Sequence, residues 1–247
     1  MIRLDQALVE RGLCESREKA RRAILAGQVR INAQPARKAS DSVKPDDTLT
    51  LDAPEKYVSR GGHKLEHALL HFKLDVAGLT VLDLGASTGG FTDCLLQHGA
   101  ARVFAVDVGQ GQLAWKLRGD PRVVVMEKTN ARHLKIGQMP QPFAPADLAV
   151  IDCSFISLKK ILPTAIALLK TDGKIVALVK PQFEAGKTEV DKGRGVISDP
   201  AIHERVLKEL EEFIAAQPDL DWRGTTESPL LGPAGNKEFL VLIEKKR

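Results

Sequence analysis

Apolar positions along this 247-residue chain follow two rhythms. Near the start they recur at helical spacing. Leu4, Ala7 and Leu8 predict one side of a short helix that stops at Gly12. Ser16 then stands as the N-cap of a second helix, carrying Ala20, Ile24 and Leu25 and closed by Gly27. Residues 29–32 predict a short strand that 48–51 can pair near, with Pro35, Pro45 and Pro54 punctuating the connections. Residues 63–73 predict a helix with Leu65, Leu69 and Phe72 on its apolar side. Thereafter short continuous apolar runs at 80–84, 103–107, 122–126, 147–151 and 174–179 alternate with helical stretches, which is the pattern of buried parallel strands. A helix over 200–216 and a strand pair at 224–229 and 238–243 close the chain. The expected fold is α/β: a doubly wound, mostly parallel, seven-stranded Rossmann-like sheet with a small α+β domain in front. The expected limits are 1–53 for the small domain, 54–62 for a linker and 63–247 for the sheet domain. Repeats and low-complexity stretches are absent.

Composition adds one asymmetry. Hydrophobic residues at 43% and charged residues at 28% are ordinary for a soluble protein. The net charge of +4 is unevenly placed, because residues 11–40 carry a +6 excess and the rest −2. Such a focus suggests a polyanion partner, against the plainer reading of a solvated helix face. No apolar run approaches a membrane span and no signal-like segment opens the chain, so a cytoplasmic location and no membrane partner are expected. Cys14, Cys94 and Cys153 are odd in number and widely spaced, giving neither a disulfide framework nor a zinc site; no metal is expected.

The candidate chemistry begins at Val81-Leu82-Asp83-Leu84-Gly85-Ala86-Ser87-Thr88-Gly89-Gly90-Phe91-Thr92, a strand, a tight turn and a helix start. Glycines there let main chain approach a ligand that a β-carbon would push away. The spacing differs from the G-x-G-x-x-G of dinucleotide binders. It suits S-adenosylmethionine, whose amino-acid end needs backbone donors and no pyrophosphate cradle. Asp83, Gly85, Ser87, Thr88, Gly89, Gly90, Phe91 and Thr92 are the expected cofactor residues of this loop. Asp107, ending the next strand, could accept ribose hydroxyls or simply cap the next helix; Asn130 could flank adenine or start a helix. Asp152, also assigned to the cofactor, ends the fourth strand and Lys180 the fifth, where a lysine is costly unless paired. Antiparallel insertion of the last strand would bring Glu238 to the same edge, and Lys64 could complete the group. Two lysines and two acids at one sheet edge make either a structural ion-pair network or a site that activates a sugar hydroxyl.

The opening, through Arg3-Leu4-Asp5-Gln6-Ala7-Leu8-Val9, Ser16-Arg17-Glu18-Lys19-Ala20 and Ile24-Leu25-Ala26-Gly27-Gln28-Val29-Arg30-Ile31-Asn32, closely resembles the S4 RNA-binding domain. That resemblance implies RNA-phosphate contacts from Arg17, Lys19, Arg21 and Arg22; Arg3 and Arg60 are also expected to bind RNA. A protein-binding helical hairpin is the plainer alternative. Six further islands resemble the FtsJ-like ribose methyltransferases: Ser59-Arg60-Gly61-Gly62-His63-Lys64-Leu65, the loop from Asp83 to Asp93, Ala105-Val106-Asp107-Val108-Gly109, Asp152-Cys153-Ser154-Phe155-Ile156-Ser157-Leu158, Leu178-Val179-Lys180-Pro181-Gln182-Phe183-Glu184 and Gly235-Asn236-Lys237-Glu238. The whole chain is similar to the TlyA family of ribosomal RNA 2′-O-methyltransferases, historically also called haemolysins. The resemblance implies a Lys64–Asp152–Lys180–Glu238 catalytic tetrad centred on Lys180. It implies S-adenosyl-L-methionine as cofactor and cytidine ribose in ribosomal RNA or ribosomal subunits as substrate. The rivals are an RNA base N-methyltransferase, which leaves Lys64 and Lys180 without a task, a non-enzymatic RNA-binding module, and a membrane-active haemolysin.

Overall fold

In the computed structural model, which describes residues 1–52 and 55–246, the chain divides into two units, Met1–Lys56 and Tyr57–Arg247. Ala53 and Pro54, at the expected junction, and Arg247 lie outside the described residues.

The first unit contains β1 (Ile2–Arg3), α1 (Leu4–Glu10), α2 (Arg17–Leu25), β2 (Val29–Ile31), β3 (Gln34–Pro35), β4 (Ser42–Val43) and β5 (Leu49–Leu51). Ser16 caps α2 as its residue type requires, its hydroxyl accepting the Lys19 N–H at 3.2 Å. Ala20 and Ile24 of α2 pack on Leu4, Ala7 and Leu8 of α1, and Val29 and Val43 complete this small core. β2 pairs antiparallel with β5, and also with β3. The pattern of residues does not signal that second pairing, because its turn, Asn32-Ala33, lacks glycine; both residues take positive φ, 51° and 67°. Two such residues make the tight hairpin turn whose twist matches the strands. The strand therefore stops at Ile31, not at Asn32 as expected.

The second unit holds α3 (Gly61–His71), β6 (Thr80–Leu84), α4 (Gly90–Gln97), β7 (Arg102–Val106), α5 (Trp115–Arg118), β8 (Val123–Met126), β9 (Ala146–Ile151), α6 (Leu162–Leu168), β10 (Leu169–Val179), α7 (Pro181–Glu184), α8 (Lys187–Lys192), α9 (Pro200–Ala215), β11 (Leu220–Glu227) and β12 (Phe239–Lys245). The seven strands lie in the order β11-β12-β10-β9-β6-β7-β8. β12 is inserted antiparallel to both its neighbours, and the other pairs are parallel. Successive strand side chains point to opposite faces, so each face gathers its own core. Val81, Val103, Val150 and Val176 meet α3 and α4 on one side. Leu82, Phe104, Ile151 and Ile175 meet α6 and α9 on the other. α9 is built for that face: Asp199 caps it, Pro200 starts it, and Val206, Leu210 and Ile214 recur at helical spacing. Truncating Leu210 there would cost about 2–5 kcal/mol.

One boundary departs from expectation. Residues 57–62 fall in the expected linker, yet Tyr57 is only 2% exposed. A β-carbon on Gly62 would stand 2.2 Å from the Tyr57 side chain, so the glycine makes room for the ring. Val58 N–H also donates to Asp93 at 2.8 Å. An aromatic that can bury its ring against a glycine does so, and the stretch packs with the sheet unit. Among the described residues no helix is long and apolar enough to cross a membrane.

Candidate active site

In an open α/β sheet, ligands sit beyond the carboxyl ends of the parallel strands, where the order of connections reverses. Here that point lies between β6 and β9, because the chain moves outward through β7 and β8 and then returns to β9. The strand ends deliver Asp83 from β6, Asp107 just past β7, Asp152 just past β9 and Lys180 just past β10. Val179 pairs with Phe239 in the antiparallel β10–β12 ladder, so Lys180 and Glu238 emerge at the same edge.

The loop after β6 is held by its backbone. Gly85 and Ala86 N–H groups both donate to the Val106 carbonyl, at 2.9 and 3.0 Å. Gly85 has φ +92°, and a β-carbon there would meet the Asp152 carbonyl oxygen at 2.6 Å, so no other residue fits without moving main chain. Asp107 accepts from the N–H of Ser87 at 2.8 Å and of Gly109 at 2.7 Å. Its carboxylate thus organises two loops with part of its acceptor capacity and keeps the remainder for a ligand. Glu127 pins the neighbouring loop by accepting from Gly111 at 2.9 Å and Gln112 at 3.1 Å and by pairing with Arg118. Those bonds, the one from Gly111 foremost, hold its carboxyl down at about 2.

Two cavities open on this edge. The smaller, about 270 Å³, is bordered by Lys64, Asp152, Lys180 and Glu238 together, with the loop residues Gly85, Ser87, Thr88, Gly90 and Phe91. The larger, about 500 Å³, is bordered by Asp107, Asn130, Gln112 and the apolar Val106, Ala131 and Ile161. Gly85, Ser87, Asp152 and Ser154 border both, so the cavities adjoin. Inside the smaller one, Lys64 pairs with Glu238, and Lys180 Nζ lies 2.5 Å from Asp152 Oδ1. Glu238 is 1% and Lys180 9% exposed, so these pairs are little screened by water.

Three expected cofactor residues do not border either cavity. Asp83 and Thr92 are fully buried behind the loop, where the Thr92 hydroxyl donates to Asp83 Oδ2 at 2.6 Å. Gly89 lies over Leu113 and Leu117 in a left-handed turn, φ +95°, that starts α4. All three shape the loop from within. Burial, and after it the nearby Asp152 and Asp107 charges, push the Asp83 carboxyl up to about 7 against the Thr92 hydrogen bond. Asn130 borders the larger cavity but also caps the short 3-10 helix Ala131–His133, its side chain accepting the Arg132 N–H at 3.0 Å. Both readings of that residue are therefore present. The Cys153 thiol is pushed up to about 12 by burial and the Asp152 charge, which removes it as a nucleophile near neutral pH.

Each expected RNA contact of the first unit has an acidic partner within that unit. Arg3, Arg17 and Arg21 converge on the buried Asp5 carboxylate at 3.0, 3.0 and 3.1 Å. Arg22 instead pairs with Glu18 at 2.5 Å and Lys19 with Glu15, so the arginines of α2 do not act as one group. Arg17 and Arg21 face the interior acid; Arg22 faces a neighbour on its own helix. Arg60 is exposed on the rim of the smaller cavity. Arg37 and Lys38, in the same basic stretch but outside the expected RNA set, are also exposed. Their backbone N–H groups donate to Asp41 at 2.9 and 3.0 Å, which fixes the loop presenting them. Ser154 is a further site residue that the sequence alone does not single out; its hydroxyl accepts from Lys180 Nζ at 2.9 Å. Its only signal is its place two residues after a strand-end acid. Phe155 comes next with φ 62° and 91% exposure, its ring 5.1 Å from that of Phe183.

A seven-stranded sheet with an antiparallel insertion, a glycine-bent loop after its central strand and a paired Lys/Asp–Lys/Glu pocket define a methyltransferase of the FtsJ-like class. The FtsJ-like methyltransferase pattern matches residues 57–245, and the S4 domain pattern matches residues 2–49. The chain belongs to the TlyA family within that class. It is 49% identical over 246 residues to the 16S/23S rRNA (cytidine-2'-O)-methyltransferase TlyA of Mycobacterium tuberculosis, covering 98% of this chain and 89% of that protein. It is 42% identical over 242 residues to Hemolysin A of Brachyspira hyodysenteriae, covering 97% and 98%. A solved structure called a hemolysin, from Streptococcus thermophilus, superposes with a TM-score of 0.75 at 43% identity, covering 99% of this chain and 88% of that one. Members of the class use S-adenosylmethionine, and the residues present fit it. The larger cavity offers apolar walls for a purine and the Asp107 carboxylate for hydroxyls, and the glycine-bent loop offers main chain at close range.

Proposed function

We propose that this protein transfers a methyl group from S-adenosylmethionine to the ribose 2′-hydroxyl of a cytidine in ribosomal RNA. The observation that carries the reading is the meeting of Lys64, Asp152, Lys180 and Glu238 around one small cavity that adjoins the cofactor-sized one. The cofactor supplies an electrophilic methyl group. A ribose hydroxyl is a poor nucleophile at neutral pH and needs cations and a proton acceptor beside it. Lys180 takes the proton from that hydroxyl, and Asp152, paired with its nitrogen, orients it. The Lys64–Glu238 pair forms the opposing wall, keeping a cation at the acceptor with its own charge balanced. What remains is to hold oxygen and methyl carbon in line at close range, which is worth several orders of magnitude.

The acceptor would reach this pocket as a nucleotide turned out of its stack. Phe155, exposed beside the larger cavity and in ring contact with the half-buried Phe183, offers an apolar surface for its base. The basic front unit would grip phosphates, adding affinity and position without reading bases. Cytidine and ribosomal RNA are taken from the likeness to the Mycobacterium tuberculosis protein. Incubation with methyl-labelled cofactor and separated ribosomal subunits, with digestion to nucleosides afterwards, should put the label in 2′-O-methylcytidine. Label on a base would refute the reading.

A further inference from the structure

We propose that Ser154 is a positioning residue for Lys180: its hydroxyl, with the Asp152 carboxylate, fixes the direction in which the lysine nitrogen faces the acceptor. The inference rests on the reading above that Lys180 acts on the ribose hydroxyl. Lysine carries its nitrogen on a flexible four-carbon stem, with three hydrogens that rotate freely about the last bond. One partner leaves two nitrogen positions unassigned. A second partner takes one of them, and the remaining position then has a single direction.

Lys180 has two partners, an ion pair with Asp152 and a hydrogen bond to Ser154. Asp152 Oδ1 lies 2.5 Å from Nζ and Ser154 Oγ accepts from it at 2.9 Å. With Lys180 nearly closed off from solvent, water competes little for the same positions. Asp152 and Ser154 both border the two cavities, so the nitrogen is held at their junction, where acceptor and methyl group would meet. The segment bearing Ser154 is itself anchored. Glu184, next to the lysine's own turn, accepts from Ser157 Oγ at 2.6 Å and from the Leu158 N–H at 2.7 Å. The Ser154 and Lys180 segments are thereby tied together.

The test compares the wild type, Ser154→Ala and Ser154→Thr in steady-state transfer from labelled cofactor to ribosomal subunits, with cofactor affinity and melting temperature measured alongside. Ser154→Ala should lower kcat about 10- to 100-fold, the range expected for losing a hydrogen bond to a charged group. KM for RNA and the Kd for cofactor should stay within about twofold, because binding uses other groups. Ser154→Thr, which restores the hydroxyl, should recover kcat to within about threefold of wild type. A wild-type kcat in Ser154→Ala overturns the proposal, as does a Thr variant no better than the Ala variant. A change confined to cofactor affinity also overturns it, by making Ser154 a cofactor contact. Wild-type protein that leaves no label on ribose refutes the methyltransfer reading and this proposal together. Labelled ribose with an unaffected Ser154→Ala refutes the proposal alone.

Discussion

Two buried aspartates, one in each unit, solve the same problem in opposite ways. Asp5, in α1, is fully buried and surrounded by the guanidinium groups of Arg3, Arg17 and Arg21. Burial alone would raise its carboxyl, but the three arginine hydrogen bonds together outweigh that and hold it well below the usual carboxylate range. Asp83, at the end of β6, is equally buried but has one hydroxyl partner and two further acids nearby. Its carboxyl is pushed up to about 7. In the front unit the acid neutralises part of a basic cluster and fixes where its arginines stand. In the sheet unit the parallel strands converge their ends on one edge, and burial, with the Asp152 and Asp107 charges added, makes an ionised Asp83 costly. The first arrangement serves the stability of a small domain, and the second is the expense of assembling a site.

The sharpest way to break the comparison is at the site. Lys180→Ala should reduce transfer by about a thousandfold or more, with cofactor affinity within about twofold of wild type; normal turnover would remove Lys180 from the chemistry. Gly89→Ala should weaken cofactor binding about tenfold or more, since a side chain in that left-handed turn costs about 1–3 kcal/mol and presses on Leu113 and Leu117. Calorimetric titration with S-adenosylmethionine would measure it. In the front unit, replacing Arg21 and Arg22 together by alanine should weaken RNA binding several-fold and reduce the slope of log K against log salt by about 1.4, the two-contact value for single strands. An unchanged slope would show that these arginines serve Asp5 and Glu18 only.

The smallest effect is the one that contrasts the two acids directly. A carboxyl raised in the folded state, like Asp83, destabilises the fold when ionised, so its cost is present above about pH 7 and relieved as pH falls toward 4. A carboxyl lowered in the folded state, like Asp5, stabilises the fold above the unfolded value near 4, and that contribution is lost as pH falls through its folded value. Urea midpoints across pH should therefore lose a favourable acid-going trend between pH 8 and 5 in Asp83→Asn. Asp5→Asn should leave that interval unchanged and flatten the loss below pH 4.

Much of the framework is legible in the chain because it depends on local pattern. Ser16, Gly12 and Gly27 mark helix ends through their own backbone and side-chain preferences. The apolar runs name parallel strands because both their faces must be covered. The site is legible as strand-end residues, since a strand's end is where a polar side chain can leave the core. What escapes is set by partners distant in sequence. The Asn32-Ala33 turn is imposed by the pairing of β2 with β3. Tyr57 reads as a linker residue until Gly62 gives its ring a place. Asp83 and Thr92, expected at the cofactor, border neither cavity, because the Thr92 hydroxyl of α4 closes on the Asp83 carboxylate and both are buried.

The order of residues along this chain, taken alone, determined the element types, the sheet edge that carries the chemistry and the charged residues available to it, because periodicity, capping and strand ends are short-range properties. Tertiary structure alone decided which charges meet. Lys64 lies 174 positions from Glu238 and Ser154 lies 26 from Lys180, and neither interval says anything about distance until β12 and β9 are seated against β10. Pairing is a matter of ångströms between groups desolvated together, and only the packed sheet sets both.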